Sequence, residues 1–177
     1  MGDVVVAHTG QLEPAVLAAA ENLLQHVFEG ELTDADWEHC LGGVHALAYD
    51  GDILVGHAAL VQRRLLHCGR ALRTGYLEGV GVRADVRRRG HGAALMTALE
   101  RLARGAYELA ALGATDEGAR FYRSRGWRPW AGTTWALTPD GVVRTADDDD
   151  GVHVLPLSAP LHLAGTLTCD WRDGDLW

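Results

Sequence analysis

Arg87-Arg88-Arg89-Gly90-His91-Gly92 is the stretch on which the fold reading turns. It follows a β-like run and opens a helix-like one. Its glycines let the backbone approach a ligand closely. Amides at a helix start have no intrahelical acceptor, so they and the helix dipole favour an anion. The arginines add positive charge. A diphosphate-bearing ligand suits this arrangement. The alternative is an ordinary basic helix N-terminus, which is electrostatically odd, because the dipole favours acids there.

Outward from this turn, the apolar period changes. Upstream, Arg73 to Val82 reads as a strand after a turn at Cys68-Gly69-Arg70. Downstream, Ala94, Leu95, Ala98, Leu99 and Leu102 recur at helical spacing within Gly92 to Ala103. Tyr107 to Leu112 is a strand, and Glu117 to Arg125 a helix that Gly126 ends. Short strands follow near Trp135 and from Val152 to Leu155, with the polar loop Asp147-Asp148-Asp149-Asp150-Gly151 between them.

Toward the N-terminus, Ile53 to Gln62 and His45 to Tyr49 flank Asp50-Gly51-Asp52, a hairpin signal. Thr33, with Asp36 three residues on, resembles a capping box and opens a short helix that Gly42-Gly43 ends. Leu12 to Phe28 carries a helical stripe of Val16, Leu17, Leu24, Val27 and Phe28, and Val4 to His8 is a first strand. The order β-α-α-β-β-β-α-β-α-β predicts one mixed α/β (α+β) domain over residues 1–177, without repeats or linkers.

Composition narrows the partners. Apolar residues make up 47%, enough for a packed core. With 24 acidic against 16 basic side chains the net charge is -8. Such a surface repels nucleic acid and anionic lipid and attracts a polycation. Cys40, Cys68 and Cys169 form no close pair, and neither they nor the nine histidines show metal-ligand spacing, so no metal is expected. No basic-then-apolar start and no long apolar run occurs, which makes a soluble cytoplasmic protein the expectation. Histidines such as His57 and His153 read as structural. Trp37, Trp127, Trp130, Trp135 and Trp171 read as core or interface residues.

Two motifs carry a resemblance. The Arg-x-x-Gly-x-Gly run after a strand resembles the acetyl-coenzyme A motif of the GNAT superfamily of N-acetyltransferases. Arg120-Phe121-Tyr122-Arg123-Ser124-Arg125-Gly126-Trp127 resembles its later Tyr-x-x-x-Gly-Phe motif. Asp36-Trp37-Glu38-His39, Leu41 to Leu47, Gln62-Arg63-Arg64-Leu65, Gly75 to Val80, Cys169 to Arg172, Gly174-Asp175 and Trp177 resemble the aminoglycoside 2'-N-acetyltransferases. That similarity spans nearly the whole chain. It implies a GNAT fold with a mixed, mostly antiparallel sheet flanked by helices. It also implies acetyl-CoA as donor, an aminoglycoside or another polyamine as acceptor, and a homodimer.

Residue roles follow from the resemblance together with the chemistry. Acetyl transfer needs an amine freed of its proton, a polarised thioester carbonyl and a proton for the leaving thiolate. Tyr122 is expected as general acid, against a core aromatic. Glu78, a lone carboxylate within Tyr76-Leu77-Glu78-Gly79-Val80, is expected as general base, against a solvent-facing residue. Backbone groups of Val80 and Val82 would contact acetyl and pantetheine, one N–H polarising the carbonyl. Arg87, Arg88, Arg89, Gly90, His91 and Gly92 would hold the diphosphate. Glu31, Asp36, Glu78, Gly79, Gly113, Asp148, Asp175 and the Trp177 carboxylate would lie near the acceptor. Asp147 or Asp149 could replace Asp148. Glu31 stands where the family has Asp, and Gly113 where it has Ser, so one hydroxyl contact should be missing. Two rivals remain: a GNAT enzyme for another cellular amine, and a non-catalytic module that binds coenzyme A or the drug.

Overall fold

Pro14, Thr33 and Thr115 set where the first, second and fourth helices begin. The computed structural model describes residues 3–177. A Thr9–Gln11 turn precedes helix α1 (Pro14–Val27), whose proline has no N–H to waste at the first helical position. The helix therefore starts two residues later than its apolar stripe suggests. Helix α2 (Asp34–Cys40) begins with the expected capping box between Thr33 and Asp36. Strand β1 (Val4–His8) pairs antiparallel with β2 (Val44–Asp50), and β2 with β3 (Ile53–His67) through the turn at Gly51. Strand β4 (Arg70–Val82) leads to helix α3 (His91–Ala106), strand β5 (Leu109–Gly113) and helix α4 (Asp116–Ser124).

Contacts group the chain into two units, each with its own core. One holds the residues up to Val61 together with Leu77–Leu102; the other holds Gln62–Tyr76 with Ala103–Trp177. Strands β3 and β4 contribute a segment to each.

In the first unit, neighbouring residues of β3 look to opposite faces, as extended backbone requires. A Cβ on Gly56 would lie 3.1 Å from Leu95 of α3, while His57 reaches Gly79 on the other face. Gly79 and Gly81 let Leu24 of α1 close onto β4, where a Cβ on either would come within 2.9 Å of it.

In the second unit, β5 runs parallel to β4 and antiparallel to β9 (Val152–Pro156). Two-residue β6 (Arg128–Pro129) borders β9. The β3 segment continues to β10 (Leu167–Cys169), then β7 (Thr134–Thr138) and β8 (Gly141–Arg144). Strands β6, β8 and β10 carry no sequence signal. The first and last are too short, and in β8 Val142 and Val143 are both exposed, so no alternation exists to read. Trp127 and Trp130 fill the core, and the Trp130 indole donates to Gly165 O at 3.0 Å. Trp171 is 49% exposed, which removes it from the core. Among the described residues no helix is long and apolar enough to cross a membrane.

Candidate active site

The basic turn has the form its sequence implies. Val86, buried, pins a short helical turn after β4. Arg87, Arg88 and Arg89 are exposed, and Arg88 and Gly90 adopt positive φ, +63° and +94°. The first bond of α3 runs from Ala94 N to Gly90 O, so the amides of His91, Gly92 and Ala93 precede it, with no acid in the first turn. A Cβ on Gly90 would meet nothing within 4 Å. Gly90 is thus required for its backbone conformation, and the space beside it is open.

Glu78, Gly79 and Val80 are half-buried on β4 in the same unit. Gly79 adopts φ +53° within a strand, the conformation of a glycine bulge. Its carbonyl accepts from His57 Nδ1 at 2.8 Å. The histidine read as structural therefore grips the very residue expected to approach ligand. Val82 O accepts from Arg87 Nε at 3.2 Å. Of the acceptor-side acids in this unit, Glu31 is exposed. Asp36 is occupied by its capping box, Oδ2 accepting from Thr33 N and Oγ1, each at 2.8 Å.

Tyr122 sits on the buried face of α4 in the other unit. Its ring lies 5.4 Å from Phe121 and 6.2 Å from Trp127, centroid to centroid. Gly118 makes the room, since a Cβ there would fall 3.1 Å from the Tyr122 ring. Burial pushes the phenol up to about 12, so it stays protonated near neutrality. A buried, neutral phenol can donate a proton.

The four-aspartate loop divides into two jobs. Asp149 is structural: it pairs with Arg144 and accepts from Thr134 N at 3.0 Å. The Arg144 bond is the main reason its carboxyl drops to about 2. Asp148 is half-buried, and burial, then the charges of Asp175, Asp147 and Asp149, raise its pKa against a Thr145 hydrogen bond. Asp148 and Asp175 therefore share one negative neighbourhood, and Trp177 N donates to Asp175 Oδ1 at 3.3 Å.

Trp177 is docked, 5% exposed, its indole donating to Thr145 Oγ1 at 2.9 Å. A Cβ on Gly113 would lie 3.2 Å from the Trp177 main-chain oxygen and 3.8 Å from Tyr76 Oη. The guanidinium groups of Arg63 and Arg172 stand over the Tyr76 ring at 4.7 and 5.5 Å. Asp170 holds Arg63 at 2.7 Å. Thr145, Tyr76 and Arg63 thus shape this corner; Arg63 and Tyr76 lie in segments that carry the resemblance, and Thr145 in none.

The Acetyltransferase (GNAT) domain family matches residues 11–130. The chain belongs to the GNAT acetyltransferase family. It is 48% identical over 176 residues to an aminoglycoside 2'-N-acetyltransferase of Mycolicibacterium fortuitum, covering 97% of this chain and 90% of that one. Among solved structures it resembles Escherichia coli ElaA, with TM-score 0.59 and 20% identity over 87% of this chain and 99% of that. An acyl-CoA N-acyltransferase of Pseudomonas aeruginosa gives TM-score 0.61 and 16% identity, covering 87% of this chain and 99% of that. These two likenesses bear on the fold alone. They agree with the mixed, mostly antiparallel GNAT sheet expected from sequence.

GNAT membership implies acetyl-CoA as the acyl donor. The basic turn fits a diphosphate: its glycine opens outward, its helix start lacks acids, and its arginines are exposed.

Proposed function

We propose that this GNAT enzyme acetylates the 2'-amino group of aminoglycosides, an activity whose outcome is drug resistance. The 48% identity to the M. fortuitum enzyme over nearly the full chain carries this reading. Acetyl-CoA, when bound, supplies an activated acetyl thioester. Glu78 takes the proton of the 2'-ammonium, directly or through water, and the amine attacks the acetyl carbon. The N–C bond forms and the C–S bond breaks, the nitrogen giving up its second proton to water as the amide forms. Tyr122 returns a proton to the departing sulfur, and solvent later restores both groups. The backbone N–H of Val80 polarises the carbonyl, and the residues from Arg87 to Gly92 hold the diphosphate. Asp148 and Asp175, with Glu31, Asp36, Gly79, Gly113 and Trp177, receive the ammonium groups of the drug. An acidic surface at net charge -8 supports a polycationic acceptor.

This reading takes residues 1–177 as one acetyltransferase domain that works as a homodimer, and the exposed Trp171 supports the dimer. The test is thiol release from acetyl-CoA with aminoglycosides bearing 2'-NH₂, with matched drugs bearing 2'-OH, and with linear polyamines. Strong preference in kcat/KM for the 2'-NH₂ drugs is expected. Equal rates with 2'-OH drugs, or higher ones with polyamines, would sink the acceptor assignment.

A further inference from the structure

Thr9, His45, His57 and Gly79 form one hydrogen-bonded row from a half-exposed hydroxyl to a strand carbonyl. Thr9 Oγ1 lies 2.8 Å from His45 Nε2, His45 Nδ1 2.9 Å from His57 Nε2, and His57 Nδ1 2.8 Å from Gly79 O. A carbonyl only accepts, so His57 Nδ1 carries hydrogen. Its Nε2 then accepts from His45 Nδ1–H, and His45 Nε2 accepts from the Thr9 hydroxyl. With both rings neutral this direction satisfies each contact along the row, the Thr9 hydrogen serving His45 at 2.8 Å rather than Gly43 O at 3.2 Å. The reverse direction would set two lone pairs against each other at Gly79. Both imidazoles are fully buried, and Trp37 packs on them with centroids at 6.2 and 5.8 Å.

We propose that His57, oriented by His45, is a positioning residue for acetyl transfer that fixes the Gly79–Val80 peptide and so aims the Val80 N–H. Glycine at φ +53° is conformationally permissive, and its peptide plane would be soft if nothing held it. Cys40 Sγ and Leu24 leave no room for a Cβ there, at 2.7 and 2.9 Å, so a stiffer residue cannot do the holding. The peptide is trans, so the Gly79 C=O and the Val80 N–H point in opposite directions. With the carbonyl anchored toward the histidine pair, the Val80 N–H faces away from it. This inference rests on the proposed function, in which that N–H stabilises the charge developing on the thioester oxygen. Such donors act through prior orientation.

His57→Phe keeps a ring and removes the donor. His57→Asn restores a donor close to the Nδ1 position. Losing a carbonyl-polarising donor outright costs about 10²–10³ in rate, so a misaimed one should cost about tenfold to a hundredfold. In thiol-release assays His57→Phe should lose that much kcat, with drug KM and coenzyme affinity nearly unchanged, and His57→Asn should recover most of it. Unchanged kcat in His57→Phe, or an Asn variant no better than Phe with losses that track thermal stability, would overturn the proposal. A second readout needs no acceptor: the downfield shift of the Val80 amide proton on saturating with acetyl-CoA should be full in the wild type and in His57→Asn, but clearly smaller in His57→Phe. If the wild type acetylates no aminoglycoside, the acceptor assignment fails while this resonance still decides the role of His57; an equal response in all three proteins overturns it. Should His57→Phe not fold, His45→Leu keeps His57 but removes the donor that sets its tautomer. A severalfold loss of kcat with a weakened Val80 response is then expected, and no change in either refutes the row.

Discussion

Asp148 and Asp149 are neighbours, the first assigned to the acceptor in the proposed reading and the second bound to Arg144 and Thr134, so exchanging each should give opposite signatures. Asp148→Asn keeps the shape and removes one charge from the neighbourhood shared with Asp175. A charge-assisted contact to a drug ammonium is worth about 1.5–3 kcal/mol, or about tenfold to a hundredfold in aminoglycoside KM. Stability should hold or rise slightly. The raised pKa of Asp148 means that its charged form is disfavoured in the folded state, so a neutral amide removes a penalty present at neutral pH and relieved as pH falls. Asp149→Ala does the reverse. It deprives the buried Thr134 of the acceptor of its N–H and leaves Arg144 without its carboxylate. An unsatisfied buried donor costs about 1–3 kcal/mol, and in a chain of this size each kcal/mol lowers Tm by about 2–4 °C. The assay pairs steady-state kinetics with thermal unfolding for both variants. An unchanged drug KM in Asp148→Asn would refute its place at the acceptor. A raised KM in Asp149→Ala with Tm intact would show that the two jobs were assigned the wrong way round.

Tyr122→Phe should lower kcat by roughly 10²–10⁴ with coenzyme binding and Tm kept, because the ring still packs on Trp127; a near-normal chemical step excludes the acid role. Glu78→Gln should lose rate most at low pH, where free amine is scarce, and a pH–rate profile overlaying the wild type would demote Glu78 to a bystander. Gly90→Val puts a β-branched residue at φ +94° and should weaken acetyl-CoA binding more than drug binding, measured by calorimetry; equal coenzyme affinity in the folded variant removes the turn from the site. Burial holds His57 down from 6.5 to about 4, so its folded pKa lies below its unfolded one. Stability is then full above about pH 6.5 and falls as pH drops toward 4. The loss at pH 5 from this group is about 2 kcal/mol by linkage, and a flat Tm from pH 7.5 to 5 would contradict a buried neutral His57.

What the sequence announces and what it hides separate by the distance over which a residue finds its partner. The Thr33 box and the Gly126 stop are settled within a few residues, so pattern suffices to place them, whereas the apolar stripe begins α1 two residues early. The basic turn is equally local. Tyr122 is different: its helix and its ring neighbours Phe121 and Trp127 are local, but the burial that raises its phenol above its ordinary value comes only with the folded chain. Asp148 and Asp149 cannot be told apart in a run of four, because the choice is made by Arg144 and Thr134 on two other strands. Gly113 carries the same lesson at longer range. As a departure from the serine that the family resemblance implies, it reads as a lost hydroxyl. In the structure the Trp177 main-chain oxygen stands 3.2 Å from where the serine Cβ would be. The substitution therefore does more than delete a contact: it lets the docked Trp177 segment close on β5 beside Tyr76 Oη.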